Sequence, residues 1–164
     1  MPVYHPVPKE LLTYIGDMTV SFALLELYMQ IILTILLNQS SRVGHIISSQ
    51  LPFGRLRAAI ISMYKERYGE DADFQQVKNL MGRASKLEEE RNLITHSIWG
   101  TGDTIGTITR LKITAREKRG LNIETKSYDA TILSDFVSEI KQLAEDVVSF
   151  QHMFDHKTPL VAKE

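Results

Sequence analysis

The chain has 164 residues, with 19 Lys and Arg against 20 Asp and Glu, and no cysteine. Near-neutral charge excludes a global field for nucleic acid or a membrane surface, so any basic site must be local. The absence of cysteine excludes disulfides, thiolate metal sites and a cysteine nucleophile.

The length suits one domain, residues 1–164, large enough to bury a real core. The opening MPVYHPVPKELL lacks the basic-then-apolar pattern of a secretion signal, which predicts a cytoplasmic protein. Pro8 suits a first helical turn, and periodic apolar residues predict one long helix from Leu11 to about Leu37. Within it, VSFALLELYMQIILTILLN nearly has the length of a bilayer crossing, about 20 residues. Glu26 lies inside that stretch, and a carboxylate in mid-membrane costs a few kcal/mol. The expectation is therefore no membrane. The helix is instead buried by its own bundle on one side and by a second copy of the chain on another.

NQSSRVGHIISSQLPFG, broken by Gly44, Pro52 and Gly54, is predicted as a connector with room for a short helix. RLRAAIISMYKERYG predicts a second main helix stopped by Gly69. A third, capped by Asp71 or Asp73, is expected from about Phe74 to Trp99. The Thr- and Ile-rich run from Thr104 to Tyr128, with EKRG at its middle, predicts a β-hairpin. Asp129 caps a last helix whose apolar positions are Ile132, Phe136, Ile140, Leu143, Val147 and Phe154, followed by a frayed tail at 157–164. The predicted fold is mostly α: an antiparallel bundle of four main helices with a β-hairpin inserted before the last.

On the third main helix, Val77, Leu80, Met81, Ala84, Leu87, Ile94 and Ile98 form one broad stripe, and Arg91 falls near its middle. Its stem can pack there, but its guanidinium needs an anion. Glu88, three residues back on the same face, can supply one; from position alone this ion pair is the simpler reading. Asn92 and His96 are four apart and stack on one face at the stripe's edge. His96 lies near the helix end, a setting that suits proton transfer at physiological pH. Arg91 and His96 diverge by about 140° around the axis, so a second chain could be needed to complete a cleft.

The run Arg91–Asn92–Leu93–Ile94–Thr95–His96 resembles the signature of the HEPN superfamily (higher eukaryotes and prokaryotes nucleotide-binding). That signature is an Arg, commonly followed by a polar residue such as Asn, with a His four to six residues further on. EEERNLITHSIW also looks like the family's acidic, RN, HS and aromatic context, and the helix order agrees across most of the chain. The resemblance implies a homodimer whose motifs face each other. It also implies a metal-independent endoribonuclease with no cofactor, acting on RNA as a toxin or antiviral effector, with an antitoxin protein as a further partner. His96 would be general acid or base, Arg91 would hold the phosphate, and Asn92 would contact a phosphate oxygen or orient His96. In family toxins silenced by an accompanying nucleotidyltransferase, a Tyr often stands two residues after the His. Ile98 occupies that position here, which argues against silencing by that route.

The predicted hairpin carries Arg110, Lys112, Arg116, Lys118, Arg119 and Lys126 against few acids. It can track an RNA backbone, or be basic simply for solubility and edge protection. Two further readings remain. One is a non-catalytic dimeric module that binds a nucleotide or RNA. The other is a metal-dependent hydrolase using His152 and His156, four apart on the last helix; no third ligand accompanies them, so no metal is expected.

Overall fold

The computed structural model describes residues 6–116 and 120–157. It contains helices α1 (Lys9–Leu37), α2 (Ser41–Ser48), α3 (Phe53–Tyr68), α4 (Phe74–Thr95) and α5 (Ala130–Lys157). The strands are β1 (Ile98–Thr101), β2 (Ile108–Arg116) and β3 (Gly120–Tyr128). The protein is mostly α, a helical bundle with a small antiparallel sheet before the last helix. The four main helices are α1, α3, α4 and α5, and the connector's short helix is α2. Glu117, Lys118, Arg119 and all of the expected tail beyond residue 157 lie outside the described residues.

Two boundaries differ from expectation. The sheet has three strands, in the order β1-β2-β3, rather than the two of a hairpin. The third main helix stops at Thr95 instead of reaching Trp99, because Ile98–Thr101 pair with β2. Alternating strand geometry claims those residues: Trp99 turns to one face and Ile98, 61% exposed, to the other.

The described residues fall into two compact units, one within 1–20 and 89–139 and one within 21–88 and 140–164. α1, α4 and α5 each supply residues to both.

The unit within 21–88 and 140–164 is helical. Leu25, Met29, Leu33 and Leu36 of α1 are buried, as are Leu56, Ile60 and Tyr64 of α3, Val77, Met81 and Ala84 of α4, and Ile140, Leu143 and Val147 of α5. Asn38, at φ 52°, ends α1 in the left-handed region. The orphan carbonyls there are covered by Arg67, whose Nη1 donates to Ile35 O at 3.2 Å and Leu36 O at 2.8 Å. Asp71 caps α4 as expected: its Oδ1 accepts from the backbone N–H of Asp73 and of Phe74, each at 3.1 Å. The same oxygen accepts from the Tyr64 hydroxyl at 2.8 Å. Gly44, expected to break the chain, lies inside α2. A Cβ there would come within 2.3 Å of Thr34 Cγ2, so glycine serves close approach rather than termination.

The unit within 1–20 and 89–139 holds the sheet. Cross-strand register aligns Trp99, Arg110 and Lys126 in one row, and Thr101, Ile108 and Tyr128 in the next row of the same face. Ile108 and Tyr128 are buried. The opposite face carries Ile98, Ile113, Leu121 and Ile123, each at least half exposed. α5 begins with Asp129 Oδ1 accepting from the N–H of Ile132 at 2.8 Å, the expected cap. Its buried stripe starts at Leu133, while Ile132 is 42% exposed; the side chain of Phe154 lies outside the described residues.

α1 is long and apolar enough to cross a bilayer by length and composition, and 44% of its most apolar window is buried inside the protein. Val20, Leu24 and Leu27, spaced i, i+4, i+7, are left exposed on one stripe.

Candidate functional site

The last turn of α4 carries the motif. Arg91 and Asn92 are half-buried, Ile94 is buried, and His96 is exposed just past the final helical residue. The helical pattern still closes on His96, whose N–H donates to Asn92 O at 3.0 Å. Asn92 therefore sits one turn beneath His96, as the spacing predicted.

A helix end must satisfy its last carbonyls. Here the work is done without a glycine cap. Thr95 Oγ1 donates to Arg91 O at 2.8 Å, the N–H of His96 to Asn92 O, and Trp99 Nε1 to Ile94 O at 3.2 Å. His96 and Ser97 are the whole connection between α4 and β1, so the imidazole is carried on a two-residue bridge with both ends fixed. Glu88, the acid expected to pair with a purely structural Arg91, has its Oε2 3.5 Å from Arg57 Nη2. Arg57 Nη1 also donates to Met81 O at 3.3 Å.

Beside the motif lies a charged cluster. Glu90 Oε1 accepts from Lys126 Nζ and from the Tyr128 hydroxyl, each at 2.6 Å. Lys126 Nζ also lies 4.8 Å from the centre of the Tyr128 ring, and Trp99 meets that ring edge-on at 5.3 Å. Burial pushes the Glu90 carboxyl up. The hydrogen bonds from Lys126 and Tyr128, with the charges of Lys126 and Arg110, outweigh it and hold the carboxyl below its ordinary range. Burial, then the hydrogen bond to Glu90 and the Glu90 charge, push the Tyr128 hydroxyl far above its ordinary value against the opposing Arg110. At neutral pH the site holds an ionised Glu90 and a neutral Tyr128.

The basic residues expected on an RNA track separate. Arg110, expected on the RNA track, is only 4% exposed and does not face solvent. The cause is register: Arg110 shares the inward row with Trp99 and Lys126. Its Nε and Nη1 are buried with no hydrogen-bond partner among the described residues. Lys112 is half-buried opposite Glu124. Arg116 belongs to β2 with its side chain outside the described residues, as Lys118 and Arg119 are entirely. Among the described residues no group of three or more His, Asp or Glu gathers as a metal would require.

Sequence reasoning did not single out Glu90, Trp99 and Tyr128. The signals were present: an acid next to Arg91, and two aromatics with polar handles flanking predicted strands, where such handles find partners. Comparison with known proteins returns no matching family model, curated protein or solved structure.

Proposed function

We propose that this protein is a metal-independent endoribonuclease of the HEPN type, a toxin or antiviral effector, with its site formed across a homodimer. One arrangement carries the reading: an exposed His96 on a fixed two-residue bridge, one turn above Asn92 and next to Arg91, at a helix end. In the reaction the 2′-hydroxyl of RNA attacks its own phosphate and the bond to the 5′-oxygen breaks. One His96 takes the 2′ proton and a His96 returns a proton to the departing 5′-oxygen. Arg91 offers a planar donor fork to the charge growing on the phosphate oxygens. Asn92 orients His96 or binds a phosphate oxygen. The exposed stripe Val20, Leu24, Leu27 supports a second copy as partner.

The test is cleavage of RNA in excess EDTA, with products ending in 2′,3′-cyclic phosphate and 5′-hydroxyl. His96→Ala is expected to lose about 10²–10⁴-fold, Arg91→Ala a comparable factor, and Arg91→Lys to recover only part. Cleavage that stops in EDTA, or products ending in 3′-hydroxyl, overturns the mechanism.

A second reading is a non-catalytic dimeric module that binds RNA or a nucleotide. The burial of Arg110 and the pairing of Lys126 with Glu90 commit both cations to the fold in either reading. Binding without cleavage by the wild-type protein is the signature of the second.

A further inference from the structure

We propose that the three-stranded sheet is a positioning device for Arg91 and His96, and that Glu90, Tyr128, Lys126 and Trp99 are its positioning residues. This rests on the ribonuclease reading only for its catalytic consequence; the positioning itself can be measured without it.

A helix end frays unless something outside the helix holds it. Two tethers from the sheet hold this one. Glu90 directly precedes Arg91, and its carboxylate is gripped by two donors of β3, Lys126 and Tyr128, each at 2.6 Å. Both bonds land on one oxygen, Oε1, so two side chains of β3 hold it rather than one. That keeps the last turn of α4 closed and so preserves the direction in which Arg91 and Asn92 leave it. The second tether is Trp99 Nε1 on Ile94 O. It reaches back across His96 and Ser97, so the bridge bearing the imidazole is closed at both ends.

Arg110 gives the independent observation. A guanidinium at 4% exposure with two nitrogens lacking partners among the described residues is a costly thing to keep. A methionine or leucine would pack there at lower cost. What Arg110 supplies, and an apolar residue cannot, is positive charge: it favours the ionised form of Glu90 and opposes the upward push on Tyr128. An ionised Glu90 makes both hydrogen bonds charge-assisted, which strengthens the tether.

The experiment compares wild type with Tyr128→Phe, Glu90→Gln and Trp99→Phe, and with Arg83→Ala as a control. Arg83 makes a 2.6 Å ion pair with Asp146 in the other unit and touches none of these groups. Four quantities are read on each: melting temperature, kcat and KM for a short RNA, and the ring C–H resonance of His96 (assigned with His96→Ala). The three tether variants are expected to shift the His96 resonance and to lower kcat by about 10–100-fold, the scale of a small misplacement of a reacting group. KM stays within about twofold, while Arg83→Ala lowers melting temperature alone. Tether variants that melt lower but leave both the His96 resonance and kcat unchanged overturn the proposal, since the sheet then only stabilises. If the wild type cleaves no RNA, the ribonuclease reading fails by itself, and the His96 resonance alone decides whether the sheet positions it.

Discussion

The Tyr128 hydroxyl donates to Glu90 at 2.6 Å, and the bond ties the pH range of stability to two groups moved in opposite directions. Glu90 is held below its ordinary value of 4.5, so its contribution is present above about pH 4.5 and fades as pH falls through the lower folded value. Tyr128 is raised above 10.0, so its contribution is present below pH 10 and fades as pH rises beyond it. Tyr128→Phe is expected to cost about 1–2 kcal/mol at neutral pH. It should also flatten the loss of stability above pH 10 relative to wild type. Thermal melts from pH 3 to 11 on both proteins check this. An alkaline limb identical in the two would show that the hydroxyl is not coupled to Glu90.

Arg110 provides a second prediction. Arg110→Ala removes packing and charge together and is expected to cost about 2–3 kcal/mol, whereas Arg110→Met restores the packing and recovers much of it. Neither should alter the slope of log affinity against log salt for RNA, because a buried cation releases no counterion from a phosphate. Neutralising Arg116, Lys118 and Arg119 together should lower that slope. An equal fall for Arg110→Met would mean that Arg110 reaches RNA after all.

What could be read in the sequence follows from how local each signal is. The caps at Asp71 and Asp129 and the spans of α1, α3 and α5 depend on neighbours within one or two turns, and they stood as expected. The end of α4 did not, because Ile98 and Trp99 keep helical spacing with the residues before them. Only pairing with Leu111 and Arg110, a dozen residues away, turns them into a strand. The same non-local register hid the burial of Arg110, which in sequence is one more cation in a basic hairpin. The relative placement of Arg91, Asn92 and His96 was legible because their spacing spans only about a turn and a half of helix. The tether through Glu90 was not, since its donors lie 36 and 38 positions further along.

Gly44 tests a tight contact. Alanine normally gains about 1 kcal/mol over glycine inside a helix. Here the new Cβ would stand 2.3 Å from Thr34 Cγ2, and overpacking of that kind costs about 1–3 kcal/mol. Gly44→Ala is therefore expected to lower the melting temperature, and Thr34→Ser, which removes the colliding methyl, to recover part of the loss in the double variant. Thermal melts of the two single variants and the double one form the cycle. A Gly44→Ala protein as stable as wild type would mean that α2 shifts away at no cost.

The last prediction concerns self-association. Val20, Leu24 and Leu27 are 71%, 44% and 44% exposed, and at i, i+4, i+7 they form a seam that one helix can offer to its copy. The wild type is expected to sediment at tens of micromolar as a dimer, at twice 18.7 kDa. Leu24→Glu with Leu27→Glu should give a folded monomer, because two carboxylates facing their own copies across a two-fold axis are both desolvated and mutually repelled. Ile123→Glu is the control. It places the same charge on an exposed aliphatic side chain of the sheet and should leave the dimer intact. If the ribonuclease site is shared between protomers, the monomeric variant loses cleavage although Arg91 and His96 are untouched. Adding His96→Ala protein that retains the wild-type α1 seam would not restore it, since the seam on the other chain is broken. A wild-type monomer, or a Leu24→Glu, Leu27→Glu protein that stays dimeric, would remove α1 as the interface. A monomer that cleaves RNA at the wild-type rate would remove the shared site.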